Sequence, residues 1–161
     1  FYCYKNAIDL DPNFLSARIH HMASSVTSNQ DSIYFQQKSY LEERWDQLTE
    51  YEKIMFHYAE ALWNGDYESA FKAIDSNVKL DPEDYFTLHQ SSFLSSAHLN
   101  RPREAAQRYE RLFLNLAKGI YDVQINRSSH FEYMAALNRL GKFKEVTQFF
   151  FAIPTTSRWK S

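Results

Sequence analysis

The residues best suited by type to metal binding or proton transfer are six histidines: His20, His21, His57, His89, His98 and His130. A zinc site needs ligands that converge, commonly at i and i+4 of a helix or in paired Cys/His spacings. His20 and His21 are adjacent, so a helix sends them to different faces. No HExxH pattern occurs, and Cys3 is the only cysteine, which excludes an internal disulfide and a cysteine-built metal centre. The sequence therefore assigns no metal and no cofactor, and the histidines read as ordinary helix residues. Ser91-Ser92 and Ser95-Ser96 are nucleophiles by type, but no strand–turn–helix elbow surrounds them. On one helix they read as small residues that permit close packing or line a polar groove. The three glycines are scattered too widely to cradle a phosphate. Glu42 and Glu43 are adjacent and diverge. Arg101, Arg103, Arg108 and Arg111, laced with Glu104 and Glu110, read as a charged outer helix face. No residue is assigned a catalytic role, and the expectation is a protein that is not an enzyme.

The elements that would carry these residues are helices. Hydrophobic residues make up 44% of the 161, which excludes a disordered chain. Three Gly and four Pro are too few for a many-turned β-fold. The formal charge of -2 argues against a broad nucleic-acid surface, and no apolar run reaches membrane-spanning length. A chain without signal-peptide features and with one free cysteine is expected in the cytoplasm, with no membrane contact by this segment.

A phrase recurs. Gly65-Asp66-Tyr67-Glu68-Ser69-Ala70 precedes an apolar stripe at Phe71, Ile74 and Val78, then Leu80-Asp81-Pro82. The opening residues Tyr4, Ala7 and Leu10-Asp11-Pro12 carry the end of the same phrase, 70 positions earlier. Echoes follow at Asn100-Arg101-Pro102-Arg103-Glu104-Ala105 and Gly141-Lys142-Phe143-Lys144-Glu145-Val146. A period near 35 marks stacked helix pairs. Helices are expected over 1–10, 13–27, 33–47, 50 to 63 or 64, 67–80, 84–100, 102–118, and from 129 to 154 with a turn at Gly141. Thr49 with Glu52 and Ser129 with Glu132 both read as capping boxes. Pro102 suits a first helical turn. Buried positions are expected at Phe14, Ala17, Met22, Val26, Tyr34, Leu41, Ala106, Leu112, Phe113 and Leu116, and at Phe149 and Ile153 near the end. Extra residues between Gly119 and Arg127 break the period.

This pattern resembles the tetratricopeptide repeat, in which a small residue, an aromatic and a terminal Pro recur. Residues 51–82 carry it best, through Gly65, Tyr67, Ala70, Ile74 and Pro82. Ala105 and Tyr109 carry it in 85–113, Gly141 and Phe143 in 130–151, and the second helix of 13–48 carries it poorly. The resemblance implies an all-α, right-handed α-solenoid of about four antiparallel helix pairs plus an extra N-terminal helix. It is read as one domain over 1–161, with repeats at 1–12 (partial), 13–48, 49–82, 84–118 and 128–154. Tyr67, Ala70, Phe71, Ile74, Pro82, Ala105, Tyr109, Gly141 and Phe143 would pack the repeats. First helices would line a groove through Tyr58, Trp63, His89, Phe93, Ser96 and Tyr133.

The stretch from Leu48 to Lys53, followed by a helix and Gly-Asp-Tyr-Glu-x-Ala, is similar to repeat regions of multidomain bacterial regulatory proteins. That likeness implies a piece of a longer signalling or transcription-regulating protein, and a start at Phe1 inside a repeat agrees. The function implied is a scaffold whose groove binds a protein or peptide, with self-association through the apolar end Phe149–Ile153. The alternative is a helical enzyme or small-ligand domain of α/α-toroid type, which would require His57, His89 and a carboxylate to converge. No nucleic acid is expected.

Overall fold

The computed structural model describes residues 2–119 and 127–152, except the side chains of Arg127 and of residues 150–152. Among these the chain is all helical: α1 (Tyr2–Leu10), α2 (Leu15–Thr27), α3 (Asp31–Glu42), a 3-10 turn (Trp45–Gln47), α4 (Glu50–Trp63), α5 (Tyr67–Leu80), α6 (Tyr85–Ala97), α7 (Pro102–Ala117), α8 (Arg127–Arg139) and α9 (Phe143–Ala152). No helix of the described residues is long and apolar enough to cross a membrane. Two compact units form, Phe1–Pro82 with α1 to α5 and Glu83–Ser161 with α6 to α9. Their boundary falls after Asp81-Pro82, where one repeat was expected to end.

One turn chemistry makes all four hairpins. Asn29, Gly65, Asn100 and Gly141 have φ of 52°, 70°, 51° and 71°, at intervals of 36, 35 and 41 residues. Glycine reaches this left-handed region without a Cβ penalty, and asparagine is the next most tolerant residue. In three of the turns the following amide closes onto the carbonyl five residues back: Gln30 N to Ser25 O at 3.0 Å, Asp66 N to Ala61 O at 2.9 Å and Lys142 N to Leu137 O at 3.0 Å. That bond satisfies a carbonyl the helix end leaves free. At Asn100 the bond reaches one residue further, from Arg101 N to Ser95 O at 2.7 Å. The short turns fold each second helix back on its first.

Side chains behind the turns fill the cores. In the first unit α2 packs on α1, α3 and α4, and α4 packs on α5. Ile19, Met22, Leu41, Met55, Ala59, Ala70 and Ile74 are fully buried between them. In the second unit α7 packs on α6 and α8, and α8 on α6 and α9, around Leu88, Ala105, Tyr109, Leu112 and Ala136. Ala70 and Ala105 each lie five residues after a left-handed residue, and both are fully buried. The same place in α3 holds Tyr34, 2% exposed, which is why 13–48 departs from the pattern.

Local caps start the helices. Thr49 opens α4 as expected: its Oγ1 accepts from Glu52 N at 3.3 Å, and Glu52 Oε2 accepts from Thr49 N at 2.9 Å. Asp66 and Asp84 cap α5 and α6 through the amides of Ser69 and Thr87, and Pro102 occupies the first turn of α7. Arg18 fixes the link through Asp11-Pro12: its Nε donates to Pro12 O at 2.8 Å and its guanidinium lies over Tyr40, 3.6 Å from the ring centre.

Several expectations are corrected. Phe143 is 66% exposed and packs little of the repeat, and Tyr67, 37% exposed, is covered only in part. Each is the first residue of its helix, and helical side chains lean toward the N-terminus, which carries these rings toward the turn. Pro82 is exposed in the link between units. Gly141 contributes its left-handed φ, because no heavy atom lies within 4 Å of where a Cβ would stand. Phe14 is 47% exposed and precedes α2. The third helix stops at Glu42 instead of Gln47; Arg44 Nη1 takes the Tyr40 carbonyl, and the chain tightens to i−3 bonds at Arg44, Gln47 and Leu48. Ser129 is buried inside α8 and caps nothing. The break at 120–126 and Ile153 lie outside the described residues.

These placements separate two substitutions at neighbouring positions. Ala70→Leu is expected to cost about 1–3 kcal/mol by overpacking. Tyr67→Ala, at a partly covered position, is expected to cost less, about 0.5–1 kcal/mol. Urea unfolding of both variants measures the contrast, and equal losses would contradict the burial assigned to Ala70.

Candidate interaction site

The six residues expected to line a groove have different surroundings. Tyr58, on α4, is 3% exposed, and burial pushes its phenol well above the ordinary range. Trp63, at the end of α4, stacks on Tyr34 with ring centres 4.3 Å apart and meets Phe35 edge-on at 5.1 Å. Those two belong to the first unit. In the second, His89 lies between Tyr85 and Tyr109, and burial lowers its imidazole pKa. Phe93 meets His98 edge-on at 5.4 Å. Ser96 is buried, and its carbonyl accepts from Arg139 Nη1 at 2.6 Å. Tyr58 and Ser96 thus offer a partner almost no surface. Tyr133 lines an open cleft.

That cleft, of about 410 Å³, lies among α7, α8 and α9. Helix α7 supplies Arg103, Ala106, Gln107 and Glu110; α8 supplies Tyr133 and Leu137; Leu140 and Lys142 come from the turn between α8 and α9, and Glu145 from the first turn of α9. Contacts fix the directions of the helices. Ala105 and Ala106 cluster with Ala136 and Leu137, Tyr109 meets Tyr133 at 6.2 Å, and Phe113 meets His130 at 4.8 Å, so α8 runs antiparallel to α7. Val146, early in α9, packs against the cluster that holds Ala105 and Ala106, and Phe149, a turn later, lies beside Phe113 at 5.0 Å, so α9 runs parallel to α7. Arg103 and Lys142 therefore share the end of the cleft near Leu140. Glu110 and Glu145 act on Tyr133, whose phenol pKa is raised by burial first and by these two carboxylates next. None of the four charges has an ion-pair partner among the described residues.

Compared with known proteins, the chain matches no family model, no curated protein and no solved structure.

The serines of α6 are held by their own helix. Ser91 and Ser92 donate to Leu88 O, at 3.1 and 2.6 Å, and Ser95 donates to Ser91 O at 2.8 Å. Their hydroxyls are turned back onto the helix, which is the close-packing reading. His57 is exposed, 3.4 Å from Glu60 Oε2, and belongs to the first unit, whereas His89 belongs to the second. No group of three or more His, Cys, Asp or Glu among the described residues could hold a metal.

By spacing alone Glu132 has only a capping role beside Ser129, and the structure gives it a different partner. This half-buried carboxylate of α8 accepts from the hydroxyl of Tyr109 on α7. Burial raises its pKa, and the Tyr109 hydroxyl only partly offsets the rise. A carboxyl with a raised folded pKa contributes stability below its unfolded pKa, about 4.3, and loses it as pH rises through the folded value. Glu132→Gln keeps an acceptor for Tyr109 and removes the charge. It is expected to match the parent in acid and to exceed its stability at neutral pH, as thermal unfolding across pH would record. A less stable variant at neutral pH would reverse the argument.

Proposed function

We propose that this chain is a non-catalytic scaffold whose tetratricopeptide-like helix pairs stack into a right-handed superhelix and bind a protein or peptide partner, within a larger regulatory or signalling protein. The observation that carries this reading is the fourfold use of one hairpin turn, with Ala70 and Ala105 at the same place behind two of them. A helix pair with one apolar stripe cannot bury that stripe alone, so repetition favours stacking, and stacked pairs present long surfaces suited to partners. The cleft of α7, α8 and α9, with an apolar floor and unpaired charges at its rim, gives the reading a specific surface. Selection of binders from a displayed random-peptide library on the immobilised chain tests it. Enrichment of a shared motif that binds the free chain saturably is the expected result. Failure to enrich any sequence, with light scattering showing an inert monomer, would remove the proposal.

A further inference from the structure

We infer that the cleft among α7, α8 and α9 receives one amphipathic helix of a partner, with a basic side chain, apolar side chains three and four positions on, and an acidic side chain at the seventh. The inference rests on the scaffold reading and specifies its partner. Four unpaired charges line the cleft beside the buried Ala106 and Leu137: Arg103 and Glu110 along α7, and Lys142 and Glu145 one turn apart at the start of α9. Arg103 and Glu110 are seven residues apart on α7, about 10 Å along its axis. Seven residues of a docked helix span the same length, and positions i, i+3, i+4 and i+7 share one face. An extended strand covers about 10 Å in three residues, which places the two charged side chains on opposite faces. The helix is therefore the ligand that presents both charges and the apolar anchor together.

Direction follows from the dipoles. Arg103 and Lys142 stand at the N-terminal ends of α7 and α9, where the helix fields are positive. The acid and the C-terminal end of the docked helix belong there, which makes the order basic, apolar, acidic. A uniformly acidic segment would face Glu110 and Glu145, and a uniformly basic one would face Arg103 and Lys142. A nucleic-acid backbone meets the same repulsion from the two carboxylates.

The test uses the full chain and three capped alanine-based helical peptides. All carry leucine at i+3 and i+4; the first has lysine at i and glutamate at i+7, the second glutamate at both, the third lysine at both. The first is expected to bind at least about tenfold tighter than the others at low salt, and to shift backbone amide resonances of Ala106, Gln107 and Leu137. In the double variant Arg103→Glu/Lys142→Glu, whose sites lie on the exposed rim, preference should pass to the doubly basic peptide while the circular dichroism stays unchanged. Equal binding of all three peptides, or none, or shifts confined to other helices, overturns the inference. Library-selected binders that ignore the double variant would leave the scaffold reading standing without this site. An absence of any selected binder would end both.

Discussion

Replacing Tyr109 with alanine is expected to lower the stability of the chain by about 3–5 kcal/mol, the cost of deleting a large buried ring. Tyr109 lies in the middle of α7 and is fully buried. Its ring reaches His89 on α6 at 6.4 Å and Tyr133 on α8 at 6.2 Å, and its hydroxyl donates to Glu132. One side chain therefore joins three helices of the second unit. Burial, with Glu132 adding to it, pushes the phenol pKa far above neutrality, so the hydroxyl stays a donor under ordinary conditions. Tyr109→Phe separates the two contributions. It keeps the ring and leaves Glu132 without its donor, for an expected loss of about 1–3 kcal/mol. Urea midpoints with unchanged slopes would report both values. An alanine variant within about 1 kcal/mol of the parent would mean that these rings do not form a packed joint.

The positions of Tyr109 and Ile74 show how far the sequence was legible. Both lie nine residues after a left-handed residue, and both are fully buried. Their burial could be read because it follows from helical periodicity within one segment. The helix starts at Thr49 and Pro102 were legible for a like reason, since a capping box and a first-turn proline depend on residues within one turn; the cap at Asp66 shows in the sequence only as part of the turn. Asn29 and Asn100 were harder, because asparagine in a polar stretch is compatible with many loop conformations and only sometimes takes the left-handed one. Ser129 and Glu132 form a capping pattern by spacing, yet the carboxylate bonds to Tyr109, 23 residues back. A tertiary partner outcompeted the local one, and nothing local announces that. The cleft was illegible in the same way. Arg103 and Glu110 read as a solvated face of α7, and only the arrival of Lys142 and Glu145 beside them makes a site.

Glu52→Ala is expected to cost about 2–4 kcal/mol, from a lost N-terminal cap and an orphaned hydroxyl. Glu52 is 7% exposed and serves two elements at once. It closes the capping box of α4 with Thr49, and its Oε1 accepts from Ser16 Oγ of α2 at 2.5 Å. Alanine removes both connections, while Glu52→Gln keeps the shape and deletes the charge. Burial alone would raise this carboxyl, but the donors of Ser16 and Thr49 outweigh it and hold the pKa below the ordinary range. A lowered folded pKa contributes stability above the unfolded pKa, about 4.3, and loses it as pH falls through the folded value. Glu132 has the opposite shift. Both glutamine variants should therefore converge with the parent in acid and separate from it in opposite directions at neutral pH: Glu52→Gln below, Glu132→Gln above. The difference lies in the donors, because Glu52 has three from two residues and Glu132 has one, against burial that opposes ionisation at both. Thermal unfolding of the three proteins across pH 3 to 7 measures both curves in one experiment, and displacement of the two variants in the same direction would show that donor number does not set the sign.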